Sequence, residues 1–300
     1  MNTRRIAELA EQFENGNKSA LARTAASFQI PGAVFDVVAE KAKVAVQMMK
    51  VSKKERAFSK LGGKPNLGKD FEWPTYQEKP MAFIGQIALS EVPPAKDTML
   101  PEKGFLYIFY DQTNSAWGFE AKHKNSTKVI YIEENATILE ETEFPENLPN
   151  RARFHEKFLT FRKTVTLDEF NEKDFSKEIH ENYDLDYAAD GFYMMKQALL
   201  GGEEAKVHQL GGNPTVIQND NMEELCQVCS KEIDIYEKEN REKVKEIQKE
   251  PNDWTMLFQF DSDEDCGMGW GDYGRMYVWI REEDLKKKKF GNVWSVLQCG

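Results

Sequence analysis

The feature that most restricts how this 300-residue chain can fold is that its middle and its last third carry the same markers in the same order. Leu61-Gly62-Gly63-Lys64-Pro65 returns as Leu210-Gly211-Gly212-Asn213-Pro214, and Phe83-Ile84-Gly85-Gln86-Ile87 returns as Met256-Leu257-Phe258-Gln259-Phe260. Gly104-Phe105-Leu106-Tyr107-Ile108-Phe109 returns as Gly274-Arg275-Met276-Tyr277-Val278-Trp279. Ordered self-similarity of this kind predicts one supersecondary unit used twice. Each copy reads as a Gly-Gly-x-Pro turn, a buried strand bearing one glutamine, and a second strand entered through glycine. Paired glycines admit positive φ, and the proline biases the residue before it toward extended backbone. A buried glutamine must have its amide satisfied, so Gln86 and Gln259 are expected to bond backbone at a sheet irregularity. The interval between turn and glutamine is longer in the second copy, which a helix inserted within it explains.

The surrounding periodicities fill in the rest. Ile6, Leu9, Ala10 and Phe13 recur at helical spacing, Leu21, Ala25 and Phe28 suggest a second helix ended by Pro31-Gly32, and Val44, Val46 and Met48 alternate as a strand does. Strands are predicted at Met81 to Leu89, Phe105 to Tyr110, Trp117 to Glu120 and Lys128 to Ile132, and through Leu159, Phe161, Val165 and Leu167. Residues 168–200 read as helices, and Asn221 to Glu250 as one long amphipathic helix stopped by Pro251. Strands resume at Thr255 to Phe260, Arg275 to Ile280 and Val293 to Leu297. The expected fold is mainly β (α+β): two fused β-rich structural repeats with peripheral helices, related by a pseudo-twofold internal duplication. A helical extension over residues 1–42 precedes a body over 43–300, made of repeat one (43–167), a helical connection (168–203) and repeat two (204–300).

Forty basic against 51 acidic residues leave a formal charge of −11, which excludes a general nucleic-acid or anionic-membrane binder because long-range attraction has the wrong sign. No apolar run reaches the length of a membrane span, and Glu8 interrupts the place where a secretory apolar stretch would begin. The four cysteines, Cys226, Cys229, Cys266 and Cys299, are too sparse for a secreted disulfide scaffold. A cytoplasmic protein, monomeric or weakly dimeric, with no obligatory cofactor is expected.

The chain resembles the YwqG-like proteins, a bacterial family, over about residues 45–300. The resemblance is carried by Ser59-Lys60-Leu61-Gly62-Gly63-Lys64-Pro65, Phe71-Glu72-Trp73-Pro74, Pro80-Met81-Ala82-Phe83-Ile84-Gly85-Gln86-Ile87, His208-Gln209-Leu210-Gly211-Gly212-Asn213-Pro214, Gln259-Phe260-Asp261-Ser262-Asp263 and Trp270-Gly271-Asp272-Tyr273-Gly274. It implies a mainly β fold with two structural repeats and supplies no catalytic residue to carry over to this chain.

Two constellations are candidates for function. Trp270-Gly271-Asp272-Tyr273-Gly274-Arg275 combines stacking surfaces, a carboxylate and a guanidinium beside glycines, a mixture suited to ligand recognition. With Trp73 and His208 it defines an expected ligand site (Trp73, His208, Trp270, Asp272, Arg275) in a cleft between the repeats, while Gly62, Gly63, Gln86, Gly211, Gly212 and Gln259 serve structure. The alternate carboxylates Asp261, Asp263 and Asp265, with Asp272 at the twelfth place, sketch a calcium loop, though Cys266 stands where such a loop needs glycine. Cys226-x-x-Cys229 lies on an apolar helix stripe and lacks the second pair of ligands that a zinc site requires. The favoured reading is a noncatalytic module binding a protein or a small polar ligand. The alternatives are a metal-assisted hydrolase, with a divalent cation on the Asp261/Asp263/Asp265/Asp272 carboxylates, and an antitoxin-like partner-binding protein with an apolar patch on the amino-terminal helices.

Overall fold

A computed structural model describes residues 1–52, 58–68, 70–112, 116–133, 140–218 and 221–300. Three helices open the chain: α1 (Thr3–Glu14), α2 (Ser19–Ser27) and α3 (Gly32–Glu40). Asn2 caps α1 by accepting the Arg5 N–H. The third helix departs from the expectation that Pro31-Gly32 ends a helix. Pro31, at φ −60° and ψ 145°, instead begins one, because its missing N–H and preset φ cost nothing at a helix start.

The strands follow as β1 (Lys43–Val51), β2 (Lys60–Leu61), β3 (Thr75–Tyr76), β4 (Lys79–Pro80), β5 (Ala82–Ala88), β6 (Phe105–Tyr110), β7 (Thr127–Ile132) and β8 (Lys157–Thr166). After α4 (Lys177–Asn182) and α5 (Leu185–Leu200) come β9 (Gln209–Leu210), α6 (Met222–Cys229), α7 (Arg241–Ile247), β10 (Trp254–Asp261), β11 (Arg275–Arg281), α8 (Glu282–Lys286) and β12 (Val293–Gln298). Ten strands make one antiparallel sheet in the order β12-β11-β10-β9-β1-β8-β2-β5-β6-β7, and β3 with β4 makes a separate pair. Its centre is the pairing of β1 with β8, from Lys43↔Thr166 to Val51↔Phe158.

The two outer strands approach each other, so the sheet is nearly closed. Thr127 donates to Ser295 Oγ at 2.6 Å, the Trp294 indole donates to the Gly118 carbonyl at 2.9 Å, and Leu297 N–H donates to the Trp117 carbonyl. Residues 117–120, expected as a strand, are therefore a bend that bridges the edges. Gly118 takes φ +87° there, and a Cβ would collide with the Ser295 carbonyl. Bridging shields ladder groups that an open sheet edge would leave unpaired.

Two matched arrangements flank the centre. On one side β5 skips a residue between Phe83 and Gly85 and then sets Gln86 opposite Tyr107, with Lys60↔Gln86 on its other side. On the other, β10 skips a residue between Met256 and Phe258 and then sets Gln259 opposite Tyr277, with Gln209↔Gln259 on its other side.

One face of the sheet contributes Val46, Ile84, Ile108, Phe258 and Val278 to a core that also takes Leu9, Leu21, Phe35 and Phe192 from the helices. The opposite face is covered twice. Phe83, Tyr107 and Phe109 pack with Leu67, Tyr76 and Met81, whereas Met256, Tyr277 and Trp279 pack under Met222, Leu225, Cys226 and Cys229 of α6. Each such buried Met or Leu contributes roughly 1.5–3 kcal/mol relative to exposure.

The expected helix over Asn221 to Glu250 is broken into α6 and α7. Glu232 takes φ +63°, Asp234 accepts the Ala121 N–H at 2.6 Å, and Val244 and Ile247 fold back onto Val228. Each helix keeps an apolar stripe, α6 against the sheet and α7 against Val228 of α6, so periodicity alone does not reveal the turn between them.

Candidate functional site

The Gly-Gly turns determine where the polar groups of β5 and β10 end. Gly62 and Gly63 take φ +59° and +68°, Gly211 and Gly212 φ +61° and +75°. Gly62 N–H donates to the Ile84 carbonyl and Gly211 N–H to the Leu257 carbonyl, in each case the residue skipped in the ladder. Gln86 then accepts from the Asn66 N–H at 2.9 Å and donates to the Phe58 carbonyl at 2.7 Å. Gln259 accepts from the Thr215 N–H at 2.8 Å and donates to the Val207 carbonyl at 3.1 Å. The tyrosine opposite each completes the set: Tyr107 donates to the Asn66 carbonyl and Tyr277 to the Thr215 carbonyl. Both side-chain amides are thus occupied in holding turns.

Of the five expected ligand contacts, the structure gathers three. His208, just before β9, is 1% exposed; its Nδ1 accepts the Asp261 N–H at 3.2 Å and its Nε2 lies 3.0 Å from Asp263 Oδ2. With Nδ1 accepting, Nε2 is the ring nitrogen that donates to Asp263. Trp270 is buried, donating its indole N–H to the Asp261 carbonyl and packing edge-on against Tyr110 and Phe154. Arg275 lies across from Asp261 in the ladder, with Nε 3.3 Å from its carboxylate and Nη1 donating to the Thr215 carbonyl. The Nε contact is ionic without hydrogen-bond alignment. Asp272 is exposed, and its backbone carbonyl accepts from Gly300. Trp73 is elsewhere: it donates to the Met81 carbonyl and packs on Phe109 and Phe144.

The acidic run is supplied with cations by the chain itself. Lys50 Nζ lies 2.6 Å from Asp263 Oδ2 and 2.7 Å from Asp265 Oδ2, Asp263 also accepts the Asp265 N–H, and Asp261 accepts the Val207 N–H. Burial would raise the Asp263 pKa, but hydrogen bonds from His208 and Lys50 and the lysine's charge hold the carboxyl well below the usual range. Burial would likewise lower the Lys50 pKa, and its two carboxylates more than offset this and raise it. Among the described residues no group of three or more His, Cys, Asp or Glu side chains is arranged to hold a metal ion. The His208 lone pair is committed to Asp261 N–H, so the ring is a brace rather than a base with a free nitrogen. Cys266, in the same loop, is buried, and burial pushes its thiol up to about 12. Cys226 and Cys229 are buried beneath Trp254 and Trp294, with burial pushing Cys229 up to about 12 and Cys226 well above its ordinary value. Such thiols are poor metal ligands and nucleophiles at neutral pH.

A cavity of about 610 Å³ lies between the end of α1, the segment after β5 and the outer side of β8. Its walls are mixed, with Val92, Pro94, Met99 and Leu100 on the apolar side and Glu14, Lys96, Glu102 and Lys163 among the polar groups. Glu14 accepts from Lys163 Nζ at 2.7 Å and from the Lys96 N–H at 2.7 Å. Burial would raise the Glu14 pKa, but these bonds and the lysine charges outweigh it, so the carboxyl lies below its ordinary value. The volume falls in the range of small-molecule sites, about 300–1,000 Å³. None of the five expected contact residues lines this cavity. Sequence reading passed over it because Pro93-Pro94 and Pro101 register only as turn punctuation, while Glu14 and Lys163 are far apart in the chain. A smaller cavity of about 220 Å³ sits beside the second glycine pair, lined by Gly212, Asn213 and Trp279 among others.

No helix among the described residues is long and apolar enough to cross a membrane. Comparison with curated proteins gives no match. Residues 59–299 match a family model described as Domain of unknown function (DUF1963). With that match spanning the sheet from β2 to β12, the chain belongs to the DUF1963 family.

Proposed function

We propose that this protein is a noncatalytic binding module built from two fused copies of one β-rich unit, and that its small ligand occupies the groove bounded by Glu14, Pro94, Met99, Leu100 and Lys163. The finer kinship with the YwqG-like proteins belongs to the same reading, since the motifs that carry it are the two glycine turns and the two glutamine strands. What supports the duplication is that Gln86 and Gln259 satisfy their amides on residues at the same offsets from their glycine pairs, Phe58 and Asn66 in one copy and Val207 and Thr215 in the other.

The single observation that carries the binding reading is the groove. Its apolar walls favour the body of an organic molecule, and the Glu14–Lys163 ion pair gives the groove a fixed polar wall. The Trp270 region supports recognition less well. Its indole, its histidine and its carboxylates are each engaged within the protein, and displacing any of them would leave buried groups unpaired.

A ligand-observed NMR screen of small amphipathic acids and amides tests the reading, with Ser90→Trp as the comparison, because Ser90 is exposed on the groove rim and a large side chain there fills the space without entering the core. Compounds that bind the wild-type chain and lose at least tenfold in affinity to Ser90→Trp support the groove. Compounds that bind both forms equally remove it.

A further inference from the structure

The amino-terminal helices present no large exposed apolar side chain among their described residues; Met1, before α1, is the nearest. Tyr236 and Tyr273 are the most exposed aromatics and lie in separate turns, whereas the other large exposed apolar side chains after Met1 group on α5 and at the end of α4. Tyr183, Tyr187, Tyr193 and Met194 are 39%, 53%, 44% and 60% exposed. On α5 the inward face is Leu185, Ala188, Phe192, Met195 and Leu199, all in the core. The outward face carries Asp186, Tyr187, Asp190, Tyr193, Met194 and Gln197. An ordinary solvent-facing helix stripe is polar and mixes both charge signs. This one joins three large apolar groups to two carboxylates and no cation; α4, just before it in the chain, adds Glu178, with Glu181 paired to Lys177.

The ridge is also held in place. Gly191 packs so closely on the Phe28 carbonyl of the α2 end that a side chain would not fit, the Tyr187 hydroxyl meets Gln29, and Tyr193 sits edge-on to Phe192 at 5.4 Å between centroids. Aromatic rings fixed before binding lose little freedom on association, and both tyrosine and methionine are enriched at interfaces.

We propose that the outward face of α5, with the end of α4, is a docking surface for a cationic, arginine-bearing protein segment. The charge of the face selects the sign of the partner. The rings select its chemistry, since a guanidinium stacks on an aromatic face while pairing with a carboxylate and an ammonium does so less well. The surface is distinct from the groove and independent of it.

The test uses the full chain and two twelve-residue probes, one alternating arginine with glycine and one alternating lysine with glycine, followed by calorimetry and hydrogen–deuterium exchange. The proposal expects protection confined to residues 177–197 and tighter binding of the arginine probe. Tyr187→Ser with Met194→Ser should weaken that probe about tenfold. Asp186→Asn with Asp190→Asn should weaken both probes, and this second variant decides the matter if the first fails to fold. Glu237→Gln with Glu239→Gln, on a different surface, should change nothing. Equal affinity for the two probes, protection spread over other acidic surfaces, or indifference to both ridge variants overturns the proposal. So does a change in the sedimentation of the probe-free chain caused by the ridge substitutions, which would make the face a contact between copies.

Discussion

Replacing each strand glutamine by methionine, in separate variants, tests the physical core of the two-copy reading. Gln259 is fully buried, and its replacement strands the Thr215 N–H and the Val207 carbonyl. An unsatisfied buried polar group costs about 1–3 kcal/mol, so Gln259→Met should destabilise by about 2–5 kcal/mol once the small gain from a more apolar side chain is set against it. Gln86→Met strands the Asn66 N–H and the Phe58 carbonyl and also removes the bond to Asn66 Oδ1, which gives the same range. The two losses should agree to within about 1 kcal/mol, because the partners, the burial and the adjacent ladder irregularity are alike. Urea unfolding followed by tryptophan fluorescence measures the cost, and amide exchange at Asn66 and Thr215 reports whether the loss is local to the stranded groups. Faster exchange at Thr215 in the Gln259 variant only, and at Asn66 in the Gln86 variant only, is expected. A variant within about 0.5 kcal/mol of wild type, or unchanged exchange at its turn, would refute the claim that these amides hold the turns.

Two further outcomes follow from the same geometry. Asp263→Asn should cost about 3 kcal/mol at pH 7, since it leaves Lys50 and His208 facing a neutral amide. Because the folded-state pKa of Asp263 is depressed, its contribution is complete above the ordinary aspartate value near 4 and fades as pH falls below it. The gap between wild type and variant should therefore be constant from pH 7 to about 5 and narrow below 4, as denaturant titrations at each pH would show; a gap that widens on acidification contradicts the assignment. Gly62→Ala should be the costlier of the two first-glycine substitutions. Both residues have positive φ, but a Cβ at Gly62 would come within 2.3 Å of the His155 carbonyl oxygen, while one at Gly211 would overlap less, at 2.9 Å from the Thr98 methyl. Thermal melts of Gly62→Ala and Gly211→Ala give the order, and a reversed order would show that the Thr98 side chain is the less yielding neighbour.

Local patterns made much of this molecule legible in advance. The strands at Phe105, Arg275 and Val293, the helical residues 1–42 and the switch to a strand at Lys43 follow from the spacing of apolar residues, which reflects one buried face. The glutamines were readable for a different reason: a polar side chain in an apolar strand has to find a partner, whatever the fold. The expected ligand cluster was legible only as a list of residue types. Trp270 and Trp73 have the same chemistry in sequence, and nothing local says that both are spent on core packing.

That two segments carry like turns and strands could be read from the chain alone, because glycine conformation and amide satisfaction are properties of a few neighbouring residues. The sign of the protein's field could be read there too, since charge is a sum over the chain. Packing in three dimensions set Lys50 among the carboxylates of Asp263 and Asp265, brought Glu14 and Lys163 together at a groove, and turned the α5 tyrosines outward. Each of those outcomes depends on pairing between segments distant along the chain, and pairing is settled by which faces bury together rather than by any residue's own preference.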